Sequence, residues 1–188
     1  MFDLFVVLFL AYVLGSIPFG LIFAKFLGVK DLRRSGSGNI GATNAMRVGG
    51  KRLGSITLIA DALKGVLAVL AARFYVGVEY IEYFAAFAAV FGHIYPIWLG
   101  FKGGKGVATT IAVLLTIHPG VGLFMCGVWL IIFCVCRVSA VSSIFSMMCT
   151  TLLSLLVGDV YFGLVVCALT VLVVYKHHDN LKRLAIGN

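Results

Sequence analysis

Charge is scarce in this sequence. Only 12% of its residues are charged, where a soluble domain carries about a quarter, and 62% are hydrophobic, for a mean hydropathy of +1.10. A chain this apolar cannot keep itself soluble in water, which excludes a soluble fold and makes lipid its solvent. Acidic residues are scarcer than basic ones, seven Asp and Glu against fifteen Lys and Arg, so the formal charge is +8. In a soluble protein that excess would suggest nucleic acid. Here the basic residues flank apolar runs instead of lining one extended face, so no nucleic acid is expected. Positive-inside topology and contact with anionic headgroups account for the charge. The start, Met1-Phe2-Asp3, has no basic n-region and no small-residue cleavage site follows, so the first segment reads as a retained span and not a signal peptide. The five cysteines (Cys126, Cys134, Cys136, Cys149 and Cys167) form no CxxC pair and have no histidine at ligand spacing. They read as buried packing residues, and neither a metal nor a cofactor is expected.

What is present is a series of apolar runs broken by polar clusters. There is no internal repeat and no low-complexity segment. The runs predict seven transmembrane helices, over residues 2–24, 53–76, 80–100, 106–118, 119–136, 140–157 and 159–176, in a single all-α polytopic membrane domain covering 1–188. Residues 106–118 are too few to cross about 30 Å of hydrocarbon at 1.5 Å per residue, so this fourth helix is expected to be short or re-entrant. The break before the fifth is the tight turn His118-Pro119-Gly120.

Charge orients the spans. With the N-terminus outside and the C-terminus cytoplasmic, Lys25, Lys30, Arg33, Arg34, Arg47, Lys51 and Arg52 fall in one cytoplasmic loop. Lys102 and Lys105 fall in the next, Arg137 in the third, and Lys176, Lys182 and Arg183 at the C-terminus. The other side receives Asp3, Glu79, Glu82 and Asp159, with Arg73 as its basic exception. That asymmetry is what the positive-inside rule requires.

All the long, glycine-rich polar sequence lies on the cytoplasmic side. Residues 34–44, Arg-Ser-Gly-Ser-Gly-Asn-Ile-Gly-Ala-Thr-Asn, are followed by Arg47. They contain a formal GxGxxG at Gly36, Gly38 and Gly41, but a membrane span precedes it where a dinucleotide fold needs a strand. Glycines still let backbone N–H groups converge on an anion, and Ser35, Ser37, Thr43 and Arg47 could complete the cradle. The bland alternative is a flexible loop with a helix N-cap at Thr43 or Asn44. Residues 100–106, Gly-Phe-Lys-Gly-Gly-Lys-Gly, are not a Walker A loop, because Gly106 follows Lys105. They offer Lys102, Lys105 and the Gly103 and Gly104 amides at a helix start, or else merely an interfacial anchor. Ser139, Ser142 and Ser143 follow Arg137; serine in membrane helices usually bonds back to its own helix or packs at an interface. The last cluster runs from Lys176 and His177 to Asn180 and Arg183, where His177 could be a base, a phosphate ligand or an interfacial residue. Within the spans, Asp61 and Lys64 stand three apart and can pair, as a structural ion pair or as part of a substrate site. His93 is expected to make an interhelical hydrogen bond.

Several anion cradles on one face of a membrane protein imply a phosphorylated ligand with an apolar part. The chain has no GxSxG elbow, no histidine with an Asp five residues later as in CoA- and ACP-dependent glycerolipid acyltransferases, and no HExxH. A site rich in N–H groups and cations but poor in nucleophiles suits a substrate that is already activated.

The segments Ser35–Asn44 with Arg47, Gly92-His93-Ile94-Tyr95-Pro96, Phe101–Thr109 and His177–Arg183 resemble the motifs of the PlsY family of bacterial acyl-phosphate:glycerol-3-phosphate acyltransferases. The resemblance runs nearly end to end and includes the placement of Asp61, Lys64 and Gly65. It departs in the last motif, where Asp179 replaces the family's common Arg two places after the histidine and the family's Glu near the end is missing. The resemblance implies seven spans in the bacterial cytoplasmic (inner) membrane with the active site facing the cytoplasm. It implies transfer of an acyl group from acyl phosphate to the 1-position of glycerol 3-phosphate, giving lysophosphatidic acid and phosphate for phospholipid biosynthesis. On that basis Ser37, Arg47, Lys105 and His177 are the expected catalytic residues. The expected substrate contacts are Ser35, Gly38, Asn39, Gly41, Ala42, Thr43, Asn44, Lys102, Gly103, Gly104, Ser142 and Asn180. The expected partners are the two substrates and membrane lipid, with the protein a monomer working alongside an enzyme that produces acyl phosphate. The competing expectation is an organophosphate-anion transporter, which explains the loops but not their placement on one side or the want of an inverted repeat.

Overall fold

The computed structural model describes residues 2–78, 80–157 and 159–186; the expectations for Met1, Glu79, Gly158, Gly187 and Asn188 lie outside the described residues. All regular structure among the described residues is helical, in the order α1 (Phe2–Gly15), α2 (Phe19–Phe26), α3 (Ala42–Val76), α4 (Ile81–Ile94), α5 (Val107–Ile117), α6 (Pro119–Cys136), α7 (Ser139–Val157), α8 (Val160–Lys176) and α9 (His178–Ala185). Short 3₁₀ turns lie at Leu32–Arg34 and Ile97–Leu99.

The last three expected spans match α6, α7 and α8 within one residue at each end. The polar punctuation explains this: Pro119 starts α6, Arg137 ends it in a left-handed conformation, and the Asp159 carboxylate caps α8 by accepting from the Tyr161 and Phe162 amides at 2.8 and 3.0 Å. Elsewhere the structure corrects the sequence reading. The first expected span, 2–24, does correspond to one apolar stretch, Phe2–Phe26, but its helix is broken at Ser16–Pro18, because Pro18 has no N–H to continue α1. The second begins at Ala42 and not at 53, so Arg47, Lys51 and Arg52 lie on α3 and not in a loop, and the helix is broken by non-helical backbone at Gly50. Its N-cap is Gly41, neither Thr43 nor Asn44. The third stops at Ile94, before the Pro96 turn. Helix α9 lies outside the expected spans, since its polar composition carries no apolar run; it departs from α8 by 48°.

Among the described residues four helical stretches are long and apolar enough to cross a bilayer (Phe2–Phe26, α3, α6 and α7), and α8 with α9 would make a fifth. Helix α5 has 11 residues, as its short sequence required. Helix α3 packs against α1, α2, α4 and α5, while α4, α5, α6, α7 and α8 form a closed circuit of neighbours. The main core is large and aliphatic, with Val69, Ile94, Leu114, Met125, Met147 and Leu169 fully buried. The α1–α3–α4 contact is instead made by small residues, among them Ala11, Ala68, Ala72, Ala85 and Ala89. Small side chains let helix backbones approach closely where no hydrophobic driving force separates protein from lipid. The outward surface carries Phe5, Leu130, Val135, Leu156 and Val171, which suits contact with acyl chains. The cysteines belong to that surface: Cys134, Cys136 and Cys167 are exposed and Cys126 and Cys149 half-buried, so they are not the buried packing residues expected.

Candidate active site

The first polar loop is organised around one side chain. Asn44 is 1% exposed. Its Oδ1 accepts from the Ser37 amide at 2.8 Å, and its Nδ2 donates to the carbonyls of Leu32, Ser35 and Asn39 at 3.0, 3.0 and 2.8 Å. Gly36 has φ +61°, and a Cβ there would stand 2.2 Å from Asn44 Oδ1, so that position admits only glycine. Asn44 therefore builds the loop, with both polar atoms of its side chain bonded to backbone partners. What the loop offers a ligand is the start of α3. Among the described residues the Gly41, Ala42 and Thr43 amides have no hydrogen-bond partner, as expected for the first turn of a helix without a side-chain cap. Ser35, Ser37 and Asn39 line the loop half-buried, and Gly38 and Thr43 are exposed.

The second loop is folded back on the end of α4. The Gly103 and Gly104 amides donate to the Ile94 and His93 carbonyls at 3.1 and 3.0 Å. This corrects the expectation that these two amides face an anion: they satisfy the carbonyls that every helix C-terminus leaves open. Gly104 is nonetheless required, because a Cβ there would lie 2.0 Å from His93 Nε2. Lys102 is exposed, whereas Lys105 is half-buried and points to α9, where its ammonium donates to Asn180 Oδ1.

The C-terminal motif closes the cluster. His177 sits at the α8–α9 bend, 2% exposed, with Nδ1 2.7 Å from the Val173 carbonyl. A carbonyl can only accept, so Nδ1 carries the proton and Nε2 the lone pair. Burial, with Lys105 nearby, depresses the His177 pKa to about 4. The ring is therefore neutral near pH 7. Lys105 is pulled down to about 8, first by burial and then by the positive charge of Arg183 and Arg47, with Asp179 opposing. The fold thus brings Arg47, Lys105, His177 and Asn180, from three separate segments, into one charged cluster. Arg183, three residues after Asn180, belongs to it too; its helical spacing from Asn180 was the available signal. Ser142 is buried, and its hydroxyl donates to Val138 in its own helix at 3.0 Å. No hydrogen bond joins Ser37 or Ser142 to the cluster among the described residues.

Beneath the cluster, Lys64 Nζ lies 2.8 Å from Asp61 Oδ1, both side chains almost fully buried, and donates to the Ile17 carbonyl at 2.9 Å. That carbonyl lies in the break between α1 and α2, where it also accepts from the Phe19 amide at 3.1 Å. The expected hydrogen bond of His93 is not made by its ring: Nδ1 stands 3.5 Å from Asp61 Oδ1 without hydrogen-bond geometry. At the opposite end of the bundle Arg73 pairs with Glu82 and donates to the Thr116 carbonyl at 3.0 Å. The basic exception to the charge asymmetry is thus neutralised. Arg73 and Glu82, with Tyr83 and Asp159, line a cavity of about 580 Å³ that includes no residue of the glycine-rich loops.

A family model described as "Glycerol-3-phosphate acyltransferase" matches residues 5–187. The chain belongs to the glycerol-3-phosphate acyltransferase family. Relatives of that name from Cereibacter sphaeroides and Agrobacterium fabrum are each 44% identical over 178 residues, covering 95% of this chain and 84% and 86% of theirs. Two crystal structures of PlsY (YgiH), described as an integral membrane glycerol 3-phosphate acyltransferase, superpose with TM-scores of 0.92 and 0.90 at 40% and 38% identity. Each match covers 98% of this chain and 93% of the other; one is the glycerol 3-phosphate form and the other the lysophosphatidic acid form. The protein is thus an acyltransferase in the membrane, and the transporter expectation gives way to it.

Proposed function

We propose that this acyltransferase moves a fatty acyl group from acyl phosphate to the 1-hydroxyl of sn-glycerol 3-phosphate, at the cytoplasmic face of the bacterial inner membrane. The observation that carries the reading is the convergence of Arg47, Lys105, His177 and Asn180 beside the open first turn of α3. The hydroxyl oxygen attacks the acyl carbonyl, the bond from that carbon to the phosphate oxygen breaks, and inorganic phosphate leaves with the anhydride electrons. Negative charge develops on the carbonyl oxygen and grows on the leaving phosphate. We assign its stabilisation to the Gly41–Thr43 amides, Arg47 and Lys105, together with Ser37. Glycerol 3-phosphate is oriented by Asn180, His177 and Ser142, a gain from proximity.

The proton of the attacking hydroxyl goes to a phosphate oxygen. A phosphate with its second pKa near about 6 is a stronger base than an imidazole held at about 4. His177 Nε2 then accepts a hydrogen bond from the 2-hydroxyl and so orients the glycerol, leaving the single proton of the attacking 1-hydroxyl to the phosphate. The remaining loop groups, Ser35, Gly38, Asn39 and Lys102, shape the entrance. We read residues 1–188 as one domain with seven spans, the N-terminus outside and the C-terminus cytoplasmic, acting as a monomer supplied by an enzyme that makes acyl phosphate. The experiment incubates purified protein with glycerol 3-phosphate and either palmitoyl phosphate or palmitoyl-CoA, following phosphate and lysophosphatidic acid together. Stoichiometric release of both products with acyl phosphate alone is expected. Turnover with the thioester alone would overturn the donor assignment.

A further inference from the structure

The buried Asp61–Lys64 pair and the Lys105 cluster are separated by one residue. His93, in the last turn of α4, has its imidazole against Asp61 Oδ1 at 3.5 Å on one side and Nε2 directly beneath Gly104 on the other. The ring is 5% exposed and its Nδ1 has no hydrogen bond. Such a group in the membrane interior is costly to keep for packing alone, where a Leu or Phe would fill the volume. Its neighbours are themselves held by hydrogen bonds. Lys64 ties Asp61 to the Ile17 carbonyl, and Thr109 Oγ1 at the start of α5 donates to the Asp61 carbonyl at 3.0 Å. The His93 carbonyl in turn receives the Gly104 amide. The residue after Gly104 is Lys105.

We propose that His93 is a positioning residue: its ring, seated on the Asp61–Lys64 pair, acts as the spacer that sets the height of the Gly103–Gly104 segment and so holds the Lys105 ammonium against Asn180. The inference rests on the acyl-transfer reading given above, and it concerns the ring's shape and reach, not its titration. A side chain that keeps an atom at the Nε2 position should preserve the loop, and one that reaches only to the Nδ1 position should let it sink. Glutamine is the first kind and asparagine the second.

The experiment measures kcat and KM for both substrates in His93→Gln, His93→Asn, His93→Ala, Gly104→Ala and the His93→Ala/Gly104→Ala double variant, with thermal unfolding recorded for each. His93→Asn and His93→Ala are expected to lose about tenfold to a hundredfold in kcat, the scale of a misplaced reacting group, while His93→Gln keeps most of it. Gly104→Ala alone should be damaging, because its methyl meets the ring. In the His93→Ala background the same change should cost little, since the ring is gone. Equal losses in the glutamine and asparagine variants at matched unfolding temperatures would overturn the proposal, and so would losses at 93 and 104 that simply multiply. Should the alanine variants not fold, the Gln–Asn comparison decides alone. Inactive wild-type protein would refute the acyl-transfer reading itself, which is a separate result.

Discussion

Two side chains in this site have tasks that their chemistry alone does not announce. Asn44 reads as a substrate ligand in the sequence, but four backbone hydrogen bonds occupy it. Lys105 reads as a permanent cation, but burial beside Arg183 and Arg47 brings it within reach of ordinary pH. Its charged form dominates below about 8 and is lost above, so a rate that needs the ammonium must fall as pH rises through that value. An Arg at the same position stays protonated throughout. In Lys105→Arg, the alkaline limb of kcat/KM should disappear from a scan over roughly pH 6 to 10, with a lower plateau because the planar guanidinium cannot reproduce the ammonium's contact with Asn180. A limb unchanged in that variant would assign it to another group. His177 titrates near 4 and should add no limb to that scan.

At the scale of elements, legibility followed punctuation. Helices α6, α7 and α8 were readable because His118-Pro119, Arg137 and Asp159 interrupt otherwise uniform apolar sequence. The break after α1 was missed although Pro18 marks it, because Ile17 and Phe19 continue the apolar run around it. The start of α3 was missed for the opposite reason: Gly49, Gly50 and the adjacent Lys51 and Arg52 look like loop, yet α3 passes through them with one kink. Gly50 there has φ +77° and ψ −177°, a region open essentially to glycine. Gly50→Ala meets no steric neighbour, so its effect isolates the backbone. It should destabilise by about 1–3 kcal/mol or straighten the helix and swing Arg47 away from Lys105. Thermal unfolding together with the KM for acyl phosphate distinguishes the two. The His177–Asn180 motif was legible as a cluster of chemistry, but its docking on Lys105 depends on the α8–α9 bend, for which no local residue pattern spoke.

At the scale of the molecule, the charge asymmetry and the cluster point the same way. Arg47, Lys105, Asn180 and Arg183 gather at one end of the bundle, and the paired Arg73 and Glu82 stand at the other. In a cysteine-free background, Arg52→Cys should react with a membrane-impermeant maleimide only in inside-out vesicles, and Val78→Cys only in right-side-out ones. The reverse pattern would invert the topology while leaving the fold intact. That every loop of the cluster comes from a different helix connection explains why the site could be guessed as a set of motifs but not as a geometry.

The 11 residues of α5 have a consequence for where the reaction takes place. They rise only about 16 Å, roughly half the hydrocarbon thickness of a bilayer. On the topology proposed above, a His118 turn level with the outer surface would put Lys105, just before the other end of α5, below the level of the opposite headgroups. A donor with a long acyl tail can then bring its phosphate to the cations while the tail stays in oil. Each methylene kept from water avoids about 0.8 kcal/mol. On that topology the short helix lowers the catalytic floor toward the depth at which an acyl chain already lies, so that little work of extraction would stand between the lipid and the chemistry.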